Sequence, residues 1–377
     1  MRFGAGRISE ISTTCQEFGI NNPLLVTDPG LVSLPMVDQI LTHCRKHLAN
    51  CTLFSNLQAN PIEANVNEGV AAYQASSHDG VIALGGGSAL DVAKAIALMV
   101  GQNRPIWDFE DREDWYTRAN ADAIAPVIAI PTTSGTGSEV GRASVITDEL
   151  DQTKKIIFHP KMLPVCVILD PEVTVGLPAA LTAGVGMDAL SHNLEAYCSP
   201  VYHPLAQGIS LEGMRLIRDW LEPAYQDGSD LEARAQMQVA SSMGATAFQK
   251  GLGAMHSLSH PCGSVLGTHH GTTNAVVMPY VLEFNCQSIE DRLTALARYL
   301  DLPNPSPEAV IHWVLDLRKR IGIPHTLSDL GVDNSHVHKF SEMAIVDPST
   351  ATNPVQMTQE GFEDLYERSI SGTIGVN

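Results

Sequence analysis

The feature that most constrains this chain is a series of short, continuous apolar runs within its first 178 residues. Runs such as GVIAL and PVIAI are apolar at nearly every position, which is typical of strands buried on both faces of a parallel sheet. Segments with helical spacing separate them, and this alternation predicts a doubly wound α/β domain. The predicted strands are 23–27, 51–54, 80–84, 126–130, 144–147 and 165–169, and the predicted helices are 34–48, 62–77 and 88–100.

The second part of the chain has a different pattern. After Pro178 the strand signals disappear, and apolar residues recur at helical spacing, which predicts an all-helical domain over 179–377. Residues 176–178 supply the break, so that 1–178 forms the α/β domain. The polar and aromatic stretch 101–123 is predicted to be a surface excursion. The predicted helical segments are 180–198, 204–222, 229–250, 288–300, 306–321 and 358–370.

The charge balance excludes several classes of protein. With 23 Lys and Arg against 42 Asp and Glu, the formal net charge is −19. Such a surface repels nucleic-acid phosphates and anionic lipid, so we expect neither nucleic-acid nor membrane partners. The seven cysteines are scattered without a CxxC pair, which predicts reduced thiols in a cytoplasmic protein.

A glycine-rich turn follows the third predicted strand. The strand GVIAL leads into Gly85, Gly86, Gly87 and Ser88, and a helical run begins there. Glycines let backbone N–H groups approach a phosphate, and a helix N-terminus adds positive potential. The turn is Rossmann-like but is not GxGxxG. The alternative is a tight turn in which Ser88 only caps the helix.

Two further polar positions lie at strand ends on the same predicted edge of the sheet. The strand PVIAI ends in a loop, 131–139, rich in hydroxyls and glycines, and ligands bind at such ends in open α/β sheets. Asp28 ends the first strand, where a carboxylate can accept hydrogen bonds from ribose hydroxyls. Asp28 could instead be a turn residue before Pro29 and Gly30.

Histidines cluster in the helical part. Asp188 and His192 are four residues apart, so a helix places them on one face, where they could share a metal ion or only a hydrogen bond. His256 and His260 share another helix face, and His270 follows within fifteen residues of His256. Three imidazoles and a carboxylate suit Zn²⁺ or Fe²⁺.

Four motifs together resemble the iron-containing (group III, iron-activated) alcohol dehydrogenases. They are GGGSxxD at 85–91, PTTSGTGSE at 131–139, GMDALSHNLEAY at 186–197, and GAMHSLSHPCG followed by HHGTTNAVVMP within 253–279. The resemblance runs from FGAG near the N-terminus to Asn353-Pro354. It implies the dehydroquinate synthase-like architecture: a dinucleotide-binding domain, then a helical metal-binding domain, with the active site in the cleft between them.

The resemblance also implies roles for individual residues. A divalent ion, Fe²⁺ or Zn²⁺, is expected on Asp188, His192, His256 and His270, the last chosen over His269 because a glycine follows it. His260 resembles a non-ligand histidine near the nicotinamide of NAD. The residues implied to contact NAD are Gly86, Gly87, Ser88, Thr132, Thr133, Lys155 and Asn60, with Asp28 at the ribose.

The expected reaction is hydride transfer between an alcohol and NAD. A divalent ion lowers the pKa of an alcohol oxygen, and the protein holds the reacting carbons in register. His260 is the candidate proton relay. Arg142 could face a substrate carboxylate or form a surface ion pair. An even-numbered homo-oligomer is expected by default.

Rival activities on the same architecture remain open at this stage. They are a metal-free maleylacetate reductase, a glycerol dehydrogenase, a dehydroquinate synthase and a non-catalytic NAD- or metal-binding module. A synthase needs several basic residues around a polyanionic substrate, and 180–280 holds few, whereas a metal-free reductase needs no aspartate with three spaced histidines.

Overall fold

A computed structural model describes residues 1–150 and 153–375. The chain packs as two units, one of residues 1–133 with 137–176 and the other of residues 134–136 with 177–377. None of the helices formed by the described residues is long and apolar enough to cross a bilayer.

The first unit is built on a six-stranded parallel sheet. Its strands are β1 (Arg2–Phe3), β2 (Pro23–Thr27), β3 (Thr52–Phe54), β4 (Gly80–Gly85), β5 (Val127–Pro131) and β8 (Cys166–Leu169). They lie in the order β1-β8-β5-β4-β2-β3 across the sheet. The helices of this unit are α1 (Ile11–Glu17), α2 (Pro35–His47), α3 (Glu63–Ala75) and α4 (Gly87–Met99). The predicted α/β class is confirmed.

The central strand β4 shows why these runs are apolar throughout. Val81 and Ala83 join the hydrophobic cluster on the α3 and α4 face, whereas Ile82 and Leu84 join the cluster on the α1 and α2 face. Because successive side chains point to opposite faces, a strand covered by helices on both sides has no position for a polar residue.

One expectation for this unit was wrong. The run 144–147 lies in β6 (Ala143–Asp148), which pairs with β7 (Thr153–Phe158) in a separate antiparallel ribbon. Within this run Ser144 and Ile146 are buried while Val145 is 37% exposed, the alternation of a strand with one buried face. The stretch 101–123 forms short 3₁₀ turns whose residues are exposed or half-buried, except for Ile106 and Phe109, which anchor this surface excursion to the core.

Among the described residues of the second unit, the regular elements are all helices, as predicted. The core between its helices is lined by residues such as Val277 and Tyr280, which are fully buried. The helices are α5 (Ala179–Cys198), α6 (Pro204–Gln226), α7 (Leu231–Ala247), α8 (Ala254–Leu266), α9 (His270–Asn285), α10 (Glu290–Tyr299), α11 (Pro307–Arg320), α12 (Val337–Ile345) and α13 (Gln359–Ser371).

A buried lysine satisfies the end of α5. The last carbonyls of a helix have no partner within it. Lys250 is 2% exposed, and its Nζ donates to the carbonyl oxygens of Ala196 at 2.8 Å, Tyr197 at 3.2 Å and Ser199 at 2.7 Å. The lysine therefore holds together the helix that carries the first histidine motif.

We expect Lys250→Met to lower the free energy of unfolding by about 2–3 kcal/mol, because it removes a donor from three buried carbonyls. Those of Tyr197 and Ser199 keep Arg292 as a donor. Urea unfolding followed by circular dichroism measures the change. The matched control is Lys319→Met, on the exposed face of α11, which should stay within about 0.5 kcal/mol of wild type. Equal losses in the two variants would show that the carbonyl contacts of Lys250 contribute nothing.

Candidate functional site

The glycine turn of the first unit depends on Gly85. Its φ is +148°, and a Cβ built there would lie 2.3 Å from Oδ2 of Asp28 and 2.7 Å from Cβ of Ala89. The same Asp28 oxygen accepts the N–H of Gly86 at 3.2 Å. Burial raises the pKa of Asp28. Asp28 is thus both at the end of β2 and part of the turn that follows β4.

The start of α4 is arranged for an anion. The helix begins at Gly87, and no side chain in the described part of the chain caps it. The N–H groups of the first turn of a helix have no intrahelical partner, so they can bind a phosphate. Ser88 does not cap the helix: Gly86 stands at the cap position, and no side-chain cap hydrogen bond is formed there. The Ser88 hydroxyl instead donates to the carbonyl oxygen of Ala59 at 2.5 Å, which fixes the loop that contains Asn60.

The loop after β5 meets the glycine turn. The N–H of Thr132 donates to the carbonyl oxygen of Gly85 at 2.9 Å. The Thr133 methyl group lies 3.4 Å from where a Cβ at Gly86 would stand. β4 and β5 are neighbouring strands, and both predicted ligand loops therefore sit side by side.

Two residues of α4 that sequence reasoning did not assign hold the end of this loop. Asp91 accepts the Ser138 hydroxyl at 2.5 Å and the N–H of Val145 at 2.9 Å. Lys94, 1% exposed, donates to the carbonyl oxygens of Ser138, at 3.0 Å, and of Ala143. The sequence did contain a signal for this role, because Asp91 and Lys94, three residues apart, are the charged residues of an otherwise apolar helix.

Lys155 lies on β7, and Arg142 lies directly before β6. Lys155 forms an ion pair with Asp148, and its Nζ lies 5.2 Å from the centroid of the Trp107 ring. The guanidinium of Arg142 lies 5.4 Å from the centroid of the Phe158 ring.

The histidine cluster forms within the second unit. Asp188 and His192 lie one turn apart on α5, His256 and His260 one turn apart on α8, and His270 opens α9. The structure therefore brings the residues of both sequence motifs together.

The ligand atoms converge on Asp188. Its Oδ1 lies 3.5 Å from Nε2 of His270 and 4.0 Å from Nε2 of His192. One ligand atom each from Asp188, His256 and His270 lie within 4.8 Å of one another. The His192 and His256 rings stack at 4.8 Å between centroids, and the His260 and His270 rings at 5.3 Å.

Every ring of the cluster uses Nδ1 for a hydrogen bond. His192 Nδ1–H donates to the carbonyl oxygen of Gly135 at 3.2 Å, and His256 Nδ1–H to Oε2 of Glu195 at 2.6 Å. His260 Nδ1–H donates to Oδ2 of Asp347 at 2.7 Å. Since these acceptors carry no proton, each ring in its neutral form has the proton on Nδ1 and the lone pair on Nε2.

His270 follows the same rule through a serine. The Ser259 hydroxyl donates to the carbonyl oxygen of His256 at 3.1 Å and lies 3.2 Å from His270 Nδ1. Its one hydrogen is used on the carbonyl, so it accepts the Nδ1–H of His270. In all four imidazoles Nδ1 is therefore engaged by a support, and Nε2 is directed away from it.

Burial favours the neutral form of these rings, and nearby carboxylates favour the charged form. Burial lowers the pKa of His192 to about 4. Burial also acts to lower the pKa of His256, but the charge and hydrogen bond of Glu195 outweigh it and the pKa is raised. For Asp347, burial alone raises the pKa, and the charge and hydrogen bond of His260 bring it down to about 2.

The donor set fits a divalent cation. Neutral Nε2 atoms and one carboxylate oxygen are the ligands that Zn²⁺ and Fe²⁺ accept. An amide also lies at the centre: Asn274 Nδ2 donates to Asp188 Oδ1 at 2.9 Å and lies 3.1 Å from His270 Nε2. The Asn274 Oδ1 atom is buried and has no hydrogen-bond partner among the described residues. Sequence reasoning missed Asn274, Glu195 and Asp347, which are polar residues in apolar surroundings far apart in the chain.

Comparisons with known proteins define the class. Residues 1–171 match the family described as "Iron-containing alcohol dehydrogenase", and residues 182–370 match "Fe-containing alcohol dehydrogenase family, C-terminal". The chain belongs to the iron-containing alcohol dehydrogenase family. It is therefore an oxidoreductase that acts on CH–OH donors, and the predicted resemblance is confirmed.

Individual relatives cover nearly the whole chain. A 4-hydroxybutyrate dehydrogenase of Cupriavidus necator is 40% identical, over 97% of this chain and 96% of that protein. The crystal structure of a 1,3-propanediol oxidoreductase has a TM-score of 0.93 and is 32% identical, covering 98% of this chain and 97% of that one. A sulfoacetaldehyde reductase from Bifidobacterium kashiwanohense, solved in complex with NAD⁺, has a TM-score of 0.88 and 27% identity, covering 98% and 96%.

The glycine turn yields a matched pair of variants. We expect Gly85→Ala to lower the melting temperature of the ligand-free protein by several degrees, because its Cβ meets Asp28 and Ala89 and its φ is unfavourable for alanine. Gly86→Ala should change it little, since its Cβ would make only ordinary contact with Thr133 at 3.4 Å. Differential scanning fluorimetry measures both. A smaller loss for Gly85→Ala than for Gly86→Ala would contradict this account of the turn.

Proposed function

We propose that this protein is a metal-dependent, NAD-linked alcohol dehydrogenase and aldehyde reductase. The observation that carries the proposal is the convergence of a buried aspartate with three imidazoles whose Nδ1 atoms are all engaged. Residues 1–178 are assigned to dinucleotide binding, and residues 179–377 to metal binding and catalysis.

Asp188, His192, His256 and His270 are the residues assigned to the metal. When bound, a divalent ion there supplies a Lewis acid for the substrate oxygen, and NAD supplies the hydride acceptor. The carboxylate of Asp188 offsets part of the charge of the ion. The helical core buries Asp188, His192 and His256, whereas the side chain of His270 is 28% exposed.

His260 is assigned the movement of a proton. Its Nδ1–H is held by Asp347, which fixes the ring and leaves Nε2 as the atom that accepts and releases a proton. The ring is partly exposed, with 28% of its side chain accessible, so it can exchange with solvent.

The turn after β4 and the loop after β5 are assigned to NAD. The N–H groups at Gly87 and Ser88, in the first turn of α4, suit the pyrophosphate, and Gly86, whose N–H is bound by Asp28, forms the turn before them. Thr132 and Thr133 lie in the adjoining loop. Asp28, at the end of β2, is assigned to the adenosine ribose. We also assign Asn60 and Lys155 to cofactor contacts; Lys155 would have to share its ammonium group with Asp148.

The relatives indicate the substrates to test first. They include enzymes named for 4-hydroxybutyrate and 1,3-propanediol, both primary alcohols with a second polar end. We propose short primary alcohols of this kind, with ω-hydroxy acids ahead of simple alcohols. If Arg142 faces such a carboxylate, Arg142→Ala should lose activity on 4-hydroxybutyrate and keep it on butanol. Its contact with Phe158 offers the alternative of a surface role.

An absorbance assay at 340 nm with Fe²⁺- or Zn²⁺-loaded protein tests the proposal. Metal-dependent NAD reduction by one of these alcohols supports it. Turnover that survives chelation favours the maleylacetate reductase alternative, and preference for glycerol favours a glycerol dehydrogenase. Bound NAD and metal without turnover on any alcohol or aldehyde would leave a binding module.

The setting of the enzyme is also part of the proposal. Six of the seven cysteines are buried and all are free thiols, which supports a reducing, cytoplasmic compartment. We propose a homo-oligomer, a dimer or a multiple of it, by the general preference for closed symmetry. Sedimentation velocity tests the second point.

We expect His256→Ala to lose most of the bound metal, since it removes one of four ligands. Inductively coupled plasma mass spectrometry after removal of loose ions measures the metal content per chain. The control is His338→Ala, an exposed histidine on α12 that pairs with glutamates, and it should retain about one ion. Full occupancy and near-normal turnover in His256→Ala would contradict the assignment.

We expect NAD to be strongly preferred over NADP, because a 2′-phosphate beside Asp28 would set negative charge against negative charge. Unit charges ~4 Å apart at an effective dielectric near 20 repel by about 4 kcal/mol, and about 1.4 kcal/mol already gives tenfold discrimination. Arg2 and Arg7, the only basic residues before Asp28 in the sequence, are paired with glutamates, and Arg2 lies on β1, four strands away from β2.

Asp28→Asn tests this preference, because it keeps an acceptor for Gly86 but removes the charge. The ratio of kcat/KM for NADP to that for NAD should rise about tenfold or more. The control is Asp79→Asn: Asp79 accepts two backbone N–H groups at the opposite ends of these strands, so the ratio should not move. Comparable kcat/KM values for the two coenzymes in the wild type would show that Asp28 is only a turn residue.

A further inference from the structure

Glu195 is a buried carboxylate that the assigned chemistry does not use. It lies on α5, seven residues after Asp188 and three after His192, so all three share one helix face. Its side chain is 4% exposed. A charge buried to this extent is costly unless hydrogen bonds compensate it. Its partners therefore indicate why it is there.

Both oxygens of Glu195 accept hydrogen bonds from the beginning of α8. Oε1 accepts the N–H of Met255 at 2.7 Å, and Oε2 accepts the Nδ1–H of His256 at 2.6 Å. Met255 is the second residue of α8, and its N–H belongs to the first turn, which lacks intrahelical acceptors. One carboxylate thus caps α8 from another helix and orients its first histidine.

The hydrogen-bond polarity at His256 follows from this contact. A carboxylate accepts and does not donate, so the ring carries a proton on Nδ1, and in the neutral imidazole the lone pair is then on Nε2. A second observation agrees: Asn274 Nδ2 lies 3.4 Å from Nε2 of His256. That amide atom is the nitrogen, because it also donates to Asp188 Oδ1 at 2.9 Å. A donor therefore faces Nε2 from the ligand side, as an acceptor nitrogen requires.

We propose that Glu195 is the positioning residue that makes His256 a metal ligand, by selecting the Nε2 lone-pair tautomer and by fixing α8 in place. This inference rests on the proposed metal site. Carboxylates that hold a metal-bound histidine typically contribute 10–100-fold to metal affinity.

Replacement by glutamine separates the two tasks of Glu195. Glutamine has nearly the same volume as glutamate. Its side chain has only one acceptor atom, the amide oxygen, whereas Met255 N–H and His256 Nδ1–H both need an acceptor. Met255 N–H has no alternative form, whereas the imidazole can move its proton to Nε2 and accept at Nδ1. In Glu195→Gln the amide oxygen therefore keeps the helix cap, and the amide nitrogen donates to His256. The lone pair then faces away from the ligand cluster.

The experiment compares Zn²⁺ affinity of full-length wild type, Glu195→Gln and Glu283→Gln by chelator competition. Glu283 is the matched control, because one of its oxygens accepts the N–H of Gly375 at 2.8 Å and the other pairs with Arg368, away from the histidines. We expect Glu195→Gln to bind Zn²⁺ about 10–100-fold more weakly and Glu283→Gln to bind it as wild type does. The melting temperature of metal-free Glu195→Gln should stay close to that of Glu283→Gln.

A second measurement reads the tautomer of His256 in the wild-type protein itself. Nitrogen-15 spectra of histidine-labelled, metal-free wild type should show His256 with its proton on Nδ1, with His256→Ala providing the resonance assignment. A proton on Nε2 overturns the proposal, and so does unchanged Zn²⁺ affinity in Glu195→Gln while His256→Ala loses the ion. Wild-type protein that binds no metal overturns this proposal together with the metal site itself.

Discussion

The placement of the imidazole protons is the constraint on which the helical unit depends. Four histidine rings lie among buried side chains, and each directs Nδ1–H to a group that can only accept, or that has already used its hydrogen. These supports come from a loop carbonyl, a helix carboxylate, a serine and an aspartate near the C-terminus. The helices that carry them must therefore be held in a fixed relation, because a shift of 1 Å would break bonds of 2.6–3.2 Å.

The rest of the unit can be understood from that requirement. Lys250 and Arg292 donate to the last carbonyls of α5, so the helix that carries Asp188 and His192 is anchored at its end. Asn353 binds the N–H of Ala254 at 3.2 Å, beside the Glu195 contact to Met255. The start of α8 is thus fixed twice. Polar groups in a core are tolerated when they are satisfied, and here they define where the histidines stand.

In the first unit, α4 has the corresponding role of holding the candidate site in place. Its first turn follows the glycines, and its second and third turns carry Asp91 and Lys94, which hold the end of the loop after β5. A single helix therefore presents one loop and positions the other. The sheet places both at the carboxyl ends of neighbouring parallel strands, where ligands bind in open α/β sheets.

The sequence predicted most of the helices and sheet strands, and it supplied the candidate metal ligands, which stay a prediction. Continuous apolar runs predicted β2, β4 and β5 to within a residue or two, because strands buried on both faces need apolar residues at every position. It misplaced 144–147, since a four-residue run does not distinguish a sheet strand from a ribbon. It missed β7, whose Thr153, Lys154 and Lys155 carry no apolar signal.

By itself the sequence determined which candidate groups are present: histidines and an aspartate at helical spacing, and glycines before a helix. Those signals are local, because they depend on residues within one or two turns of each other. The tertiary structure alone decided the supports. Glu195 reaches His256 across 61 positions of the chain, and Asp347 reaches His260 across 87. Such partners leave no periodic trace in the sequence, since a lone carboxylate becomes a support only when folding brings it within hydrogen-bond distance of an imidazole.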